Sequence, residues 1–168
     1  MVDYFTRNRG HLAHWEPRYP DGFFTNAYWE ARLDDARQEL IDDSALRLVV
    51  FRRGDPDGRA IGVTNFTAFV RLAFNCCNLG YSIDGEHQGQ GLMQEALAAA
   101  IDHVFGELKL HRIQANYQPA NERSGRLLER LGFDIEGYAR DYLLIDGAYR
   151  DHILTSLTNP NVAAEPAG

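Results

Sequence analysis

Residues 79–101 read Leu79-Gly80-Tyr81-Ser82-Ile83-Asp84-Gly85-Glu86-His87-Gln88-Gly89-Gln90-Gly91-Leu92-Met93-Gln94-Glu95-Ala96-Leu97-Ala98-Ala99-Ala100-Ile101. A strand-like run (79–83) gives way to a glycine-bearing loop that opens a strong helix-forming stretch. The first turn of a helix carries backbone N–H groups without partners, and those donors together with the helix dipole favour a negative charge at that end. Gly89 and Gly91 remove side chains from the approach, so phosphate oxygens can come close to the backbone. The segment reads as a pyrophosphate cradle. It is not a P-loop, because Leu92-Met93 follows the last glycine where Lys-Ser/Thr is needed. Nor is it a dinucleotide fingerprint, because position 94 is Gln.

A second element lies downstream. Residues 119–133 read as a short helix that Asn121 caps and Gly132 stops, with Leu127, Leu128 and Leu131 as its apolar face. Gly125 inside it is unusual, since glycine in a helix costs about 1 kcal/mol against alanine; a ligand lying close would account for it. Between the two elements, 112–117 reads as a strand.

The hexapeptide Gln88-Gly89-Gln90-Gly91-Leu92-Met93 resembles the acetyl-CoA loop of the GNAT N-acetyltransferase superfamily (Gln/Arg-x-x-Gly-x-Gly/Ala), with Met93 in place of its last small residue. Asn121-x-x-Ser124 followed by Leu131-Gly132-Phe133 resembles the segment that holds the cysteamine arm in that superfamily. Residues 11–17 (HLAHWEP), 80–83 (GYSI) and 136–147 (EGYARDYLLIDG) are similar to the RimJ/RimL branch, and the likeness to RimJ runs from about residue 8 to 158. That resemblance implies an acetyl-CoA-dependent N-acetyltransferase that modifies the α-amino group of a protein N-terminus. An alanine-type ribosomal-protein N-terminus is the implied acceptor, attacked as the neutral amine. Two other readings stay open: a small-amine acetyltransferase, and a non-catalytic acyl-CoA-binding or ribosome-assembly protein.

The element order agrees. Residues 4–17 and 26–41 read as helical, with His14, Trp15 and Glu16 in the loop between the two helices. Strands follow at 46–51, 60–66 and 74–83, with a turn at 54–58. The helix from 92 to about 108 buries Leu97, Ile101, Val104, Phe105 and Leu108, and a strand–helix–strand unit of this length predicts a parallel pair. Asp146-Gly147 predicts a hairpin. The expected fold is α/β (α+β): a mixed, mostly antiparallel sheet with one parallel, splayed strand pair and flanking helices. A single domain over residues 1–160 and a disordered tail over 161–168 are expected. The superfamily usually begins with an edge strand, whereas this sequence starts at or within the first helix, so that strand is expected to be absent unless the start is misassigned.

The resemblance assigns roles residue by residue. Gln88, Gly89, Gln90, Gly91, Leu92, Met93 and Asn121 hold acetyl-CoA, and a backbone N–H near Tyr81, Ser82 and Ile83 polarises its carbonyl. Ser124 serves the leaving thiolate; the competing reading has its hydroxyl capping its own helical turn. The RimL-type glutamate base falls on Leu143 and does not carry over. Asp141 is the nearest carboxylate by strand alternation. His14, Trp15 and Glu16 flank the acceptor, Glu16 being able to attract its ammonium.

Composition sets outer bounds. The net charge of −7 disfavours nonspecific nucleic-acid binding and suits a basic acceptor. No apolar run approaches the roughly 20 residues of a membrane span, and no signal-peptide pattern opens the chain, so no membrane partner and a cytoplasmic location are expected. The histidines lack metal-ligand spacing, and no metal is expected. Cys76 and Cys77 are adjacent, so one should face the core and the other outward.

Overall fold

A computed structural model describes residues 1–54 and 58–161; most of the expected turn at 54–58 and all but one residue of the expected tail lie outside these. The elements run α1 (Val2–Leu12), α2 (Asn26–Ile41), β1 (Leu46–Val50), β2 (Gly62–Val70), β3 (Cys76–Ile83), α3 (Leu92–Gly106), β4 (Arg112–Gln114), α4 (Glu122–Arg130), β5 (Asp134–Ile145) and β6 (Ala148–Thr158). Six strands make one sheet in the order β1-β2-β3-β4-β6-β5. Within it β3–β4 is the parallel pair and the other pairings are antiparallel. β1 is the outer strand on its side, and α1 is the first element of the described residues.

The parallel pair sets up the site. β3 and β4 are in register only from Cys76↔Arg112 to Asn78↔Gln114. Beyond that, β3 stays on β2 as far as Ile83↔Gly62. The chain after β4 instead stays with β6, through Ala115 N–H to the Thr155 carbonyl and the Tyr117↔Ile153 bridge. The two strands therefore part and leave a wedge along residues 79–83. The Asp84 amide donates to the Ile61 carbonyl on the β2 side. Donors alternate sides along a strand, so the amides of Tyr81 and Ile83 point into the wedge.

Both faces of the sheet are covered. Leu97, Val104, Leu110, Ile113 and Leu128 pack with Phe66, Cys77 and Leu79 on the α3–α4 face. Tyr4, Phe5, Leu12 and Phe23 gather around Val63 on the other. Val63 and Phe66 differ in parity along β2, as a period of two requires. The same coverage corrects the expectation for the cysteines: both are buried, Cys77 in the α3–α4 core and Cys76 on the opposite face near Arg112. Burial pushes the Cys77 thiol up to about 12.

Three further expectations need adjusting. α1 ends at Leu12 rather than 17, because the Leu12 carbonyl takes the amides of Trp15 and Glu16 and closes a turn. β2 extends to Val70 across a bulge where Ala68 has φ 53°. Gly125 is explained from inside the protein: a Cβ there would sit 2.8 Å from the Tyr117 ring, so the glycine admits an aromatic side chain and not a ligand. The Asp146-Gly147 turn forms as expected, with both residues at positive φ (47° and 78°).

A groove through the sheet

A groove of about 1140 Å³ runs through the wedge and opens on both faces of the sheet. On the α3–α4 side its floor is the loop 84–91. The buried Asp84 organises that loop, taking the Glu86 amide at 3.0 Å and Arg7 Nε at 2.6 Å, while Asn8 Oδ1 takes the Gly85 amide at 3.0 Å. Burial alone would raise the Asp84 carboxyl, but Arg7 and these amide contacts outweigh it and hold it below the usual carboxylate range. Gly89 and Gly91 have φ 72° and 78° and lie against open space, so it is the left-handed backbone that calls for glycine. Gly91 is the N-cap of α3 and no side chain caps the helix, which leaves its first-turn donors facing the groove. Met93 turns inward, its Cε against Gly62, so a large residue in this position does not obstruct the mouth.

Gln88 joins the two sides of the loop. Its Oε1 accepts from Arg123, which orients the amide so that Nε2 donates to His11 Nε2 at 2.9 Å. Gln90 turns out of the groove and donates to the Glu86 carbonyl. Arg123, Arg126 and Arg130 of α4 line the same mouth. Sequence reasoning passed over these cations, although their i, i+3, i+7 spacing places them on one helical stripe.

At the wedge, Asn121 Oδ1 accepts the Ser124 amide at 3.2 Å, so Asn121 caps the turn and the Ser124 hydroxyl is free of that task. Ser124 Oγ pairs with the Tyr81 hydroxyl at 2.7 Å instead. Burial pushes the Tyr81 phenol up to about 12, against the lowering effect of the Ser124 hydrogen bond. The Tyr81 side chain is thus a second hydroxyl at this point, one the sequence reading had credited only with its backbone amide.

On the other face, the 13–25 loop closes over the wedge. Gln118 Nε2 holds the His14 carbonyl at 3.2 Å, and the Asp146 amide holds that of Glu16 at 3.3 Å. Trp15 and Glu16 line the groove; the His14 side chain is exposed and does not. The Glu16 carboxylate accepts from the Tyr19 hydroxyl at 2.5 Å, and the Ser82 hydroxyl, itself 3.0 Å from the Tyr4 hydroxyl, lies beside it and favours its charged form. Asp141 is not in the groove. β5 carries two extra residues between Ala139↔His152 and Leu143↔Arg150, and Asp141 sits in that bulge at φ 48°, its amide donating to Asp151. The alternation that linked position 141 to position 143 is broken there, and Leu143 lines the groove without it. Among the described residues no three His, Cys, Asp or Glu side chains converge as metal ligands, and no helix is long and apolar enough to cross a membrane.

Comparison with known proteins agrees with this geometry. Residues 4–134 match the Acetyltransferase (GNAT) domain family. The chain is 49% identical over 162 residues to the ribosomal protein uS5-alanine N-acetyltransferase of Escherichia coli (strain K12), covering 96% of this chain and 82% of that one. The ribosomal-protein-S5-alanine acetyltransferase of Vibrio fischeri superposes with a TM-score of 0.90 at 41% identity, over 95% of this chain and 86% of the other. Mycobacterium smegmatis RimJ, solved in complex with CoA-disulfide, superposes with a TM-score of 0.84 at 29% identity, over 94% and 75%. With a splayed parallel strand pair, a glycine loop feeding an uncapped helix, and these relatives, the chain belongs to the GNAT acetyltransferases.

Proposed function

We propose that this protein transfers acetyl from acetyl-CoA to the α-amino group of a protein N-terminus, an alanine-type ribosomal protein being the acceptor, and that it does so in the cytoplasm. The observation that carries the reading is a groove passing through the sheet, with an anion-ready helix end on one face and a half-buried carboxylate on the other. The 49% identity to an enzyme named for ribosomal protein uS5 alanine supports the acceptor.

In this reading the pyrophosphate rests on the amides at Gly89–Met93, with Gln88 and the α4 arginines beside it. Asn121 borders the arm that enters the wedge. The thioester carbonyl takes a hydrogen bond from the Tyr81 or Ile83 amide; both point into the wedge and need no reorganisation when charge develops on the oxygen. Ser124 gives the departing thiolate a proton and is backed by Tyr81. An α-amino group has a pKa of ≈ 7.7–8.0, so on the order of a tenth is neutral near pH 7, whereas a lysine at ≈ 10.4 is neutral only at the 10⁻³–10⁻⁴ level. The acceptor approaches past Trp15 and Glu16.

Thiol release from acetyl-CoA tests this with three sets of acceptors: basic peptides starting in Ala, Ser or Met; the same peptides N-blocked but containing lysine; and small amines. Turnover confined to free Ala or Ser peptides is the expected result. Turnover on small amines alone would overturn the acceptor assignment, and CoA binding without turnover on anything would overturn the transferase assignment.

A further inference from the structure

We infer that Glu16 is the base that receives the proton of the attacking amine, acting from the sheet face opposite the Ser124–Tyr81 pair. The inference rests on the transferase reading above and supplies what Leu143 leaves vacant. Its starting point is parity on β3. Tyr81 packs with the α3–α4 core and reaches Ser124. Ser82 therefore points the other way, where its hydroxyl meets Tyr4 of α1 on the side of the Glu16 carboxylate. The two side chains flank one stretch of backbone, the stretch whose amides face the wedge. A carbonyl held there has Ser124 on one side and Glu16 on the other.

Glu16 is dressed for the task. Its hydrogen-bond donor is the neutral hydroxyl of Tyr19, and the other group that favours its charged form is the neutral hydroxyl of Ser82. Unlike Asp84, which Arg7 neutralises, it forms no ion pair among the described residues. Burial raises its carboxyl, and the two hydroxyls only partly offset this; a carboxylate so placed is a better proton acceptor. The other titratable groups on this side are engaged. Arg32 and Arg47 bind Glu39, and His11 Nε2 takes the Gln88 amide. Tyr4 and Tyr19 are phenols held protonated by burial. His152 of β6 also lines the groove; its Nδ1 donates to the Arg150 carbonyl, which makes Nε2 an acceptor and His152 the rival base.

The step balances. The neutral amine forms the N–C bond, and the proton shed by nitrogen passes to Glu16 and on to solvent. The C–S bond breaks, and the thiolate takes a proton from Ser124, replaced through Tyr81 from solvent. Amine and thioester become amide and thiol.

The test is kcat against pH at saturating acetyl-CoA and Ala-initiated peptide, with CoA affinity measured in parallel. The active form is the carboxylate, so wild-type kcat should carry an acidic limb through the Glu16 pKa, separate from the limb that the acceptor amine itself sets at about 7.7–8.0. Glu16→Gln should lower the plateau by about 10²-fold or more, abolish that limb, and leave the CoA Kd within about twofold. An unchanged limb in Glu16→Gln overturns the inference, as does loss of the limb in His152→Asn with its retention in Glu16→Gln. Wild-type inactivity on every α-amine peptide would instead sink the transferase reading itself. Should Glu16→Gln lose CoA binding through misfolding, Tyr19→Phe decides: removing a donor from the carboxylate should move the limb to higher pH with most of the plateau kept, and an unmoved limb overturns the proposal.

Discussion

The two faces of the wedge are built in different ways. On the α3–α4 face the working parts are local. A left-handed glycine ends a loop and starts a helix, and an asparagine caps the next helix three residues before the serine it frees. On the α1–α2 face the working parts converge from far apart: Glu16 and Tyr19 from one loop, Tyr4 from α1, Ser82 from β3, and the Asp146 turn closing behind them. A cofactor with fixed phosphates and a fixed arm suits backbone donors set by short-range sequence. The proposed amine face is made from side chains that only the tertiary fold assembles.

The largest expected effect beyond Glu16 itself probes whether the cofactor face holds one proton-delivering unit. Ser124→Ala should lower kcat by about 10–10²-fold, and Tyr81→Phe by somewhat less, without abolishing the acidic limb. If the 2.7 Å pair works as a unit, the double variant should be no worse than Ser124→Ala alone; fully additive losses would separate the two hydroxyls. Next is Gly91→Val. A β-branched residue at φ 78° is strained by roughly 1–2 kcal/mol, which should appear as about a tenfold rise in KM for acetyl-CoA with the peptide KM little changed. A rise in the peptide KM instead would mean the faces are not separate. Gly125→Ala should destabilise by about 1–3 kcal/mol as the Tyr117 ring is pushed aside, read as a fall in Tm; a ligand-only role for that glycine predicts an unchanged Tm. Asp141→Asn should be the mildest, with kcat/KM within about threefold and the pH profile kept, because the bulge carries Asp141 out of the groove.

The same division decides what could be read from the sequence. α2 at Asn26–Ile41, the start of α3 at Leu92, the Asn121 cap and the Asp146-Gly147 turn were all legible, because capping, periodicity and positive φ leave marks on adjacent residues. The parallel pair followed from the length of the crossover. The wedge itself did not, since a strand that ends at Gln114 and one that runs to Tyr117 look alike in sequence. Asp141 was misplaced because alternation assumes an unbroken ladder, and Asp141 lies inside a two-residue bulge of β5 with its backbone at φ 48°. One of the two cysteines was expected outside because alternation alone does not say that both faces of the sheet are covered there, and both are buried. Gly125 was noticed, yet its partner lies eight residues back along the chain in an aromatic ring no local pattern points to.

The most direct test of the two-face account is the structure of the enzyme with a bisubstrate analogue, coenzyme A joined through an acetyl spacer to the nitrogen of an Ala-initiated peptide. The account predicts the sulfur beside the Ser124–Tyr81 pair, the spacer carbonyl on the amide of Tyr81 or Ile83, and the peptide nitrogen within hydrogen-bond reach of Glu16, with the peptide leaving past Trp15. A peptide that enters from the α3–α4 face, or a nitrogen remote from Glu16, would contradict it.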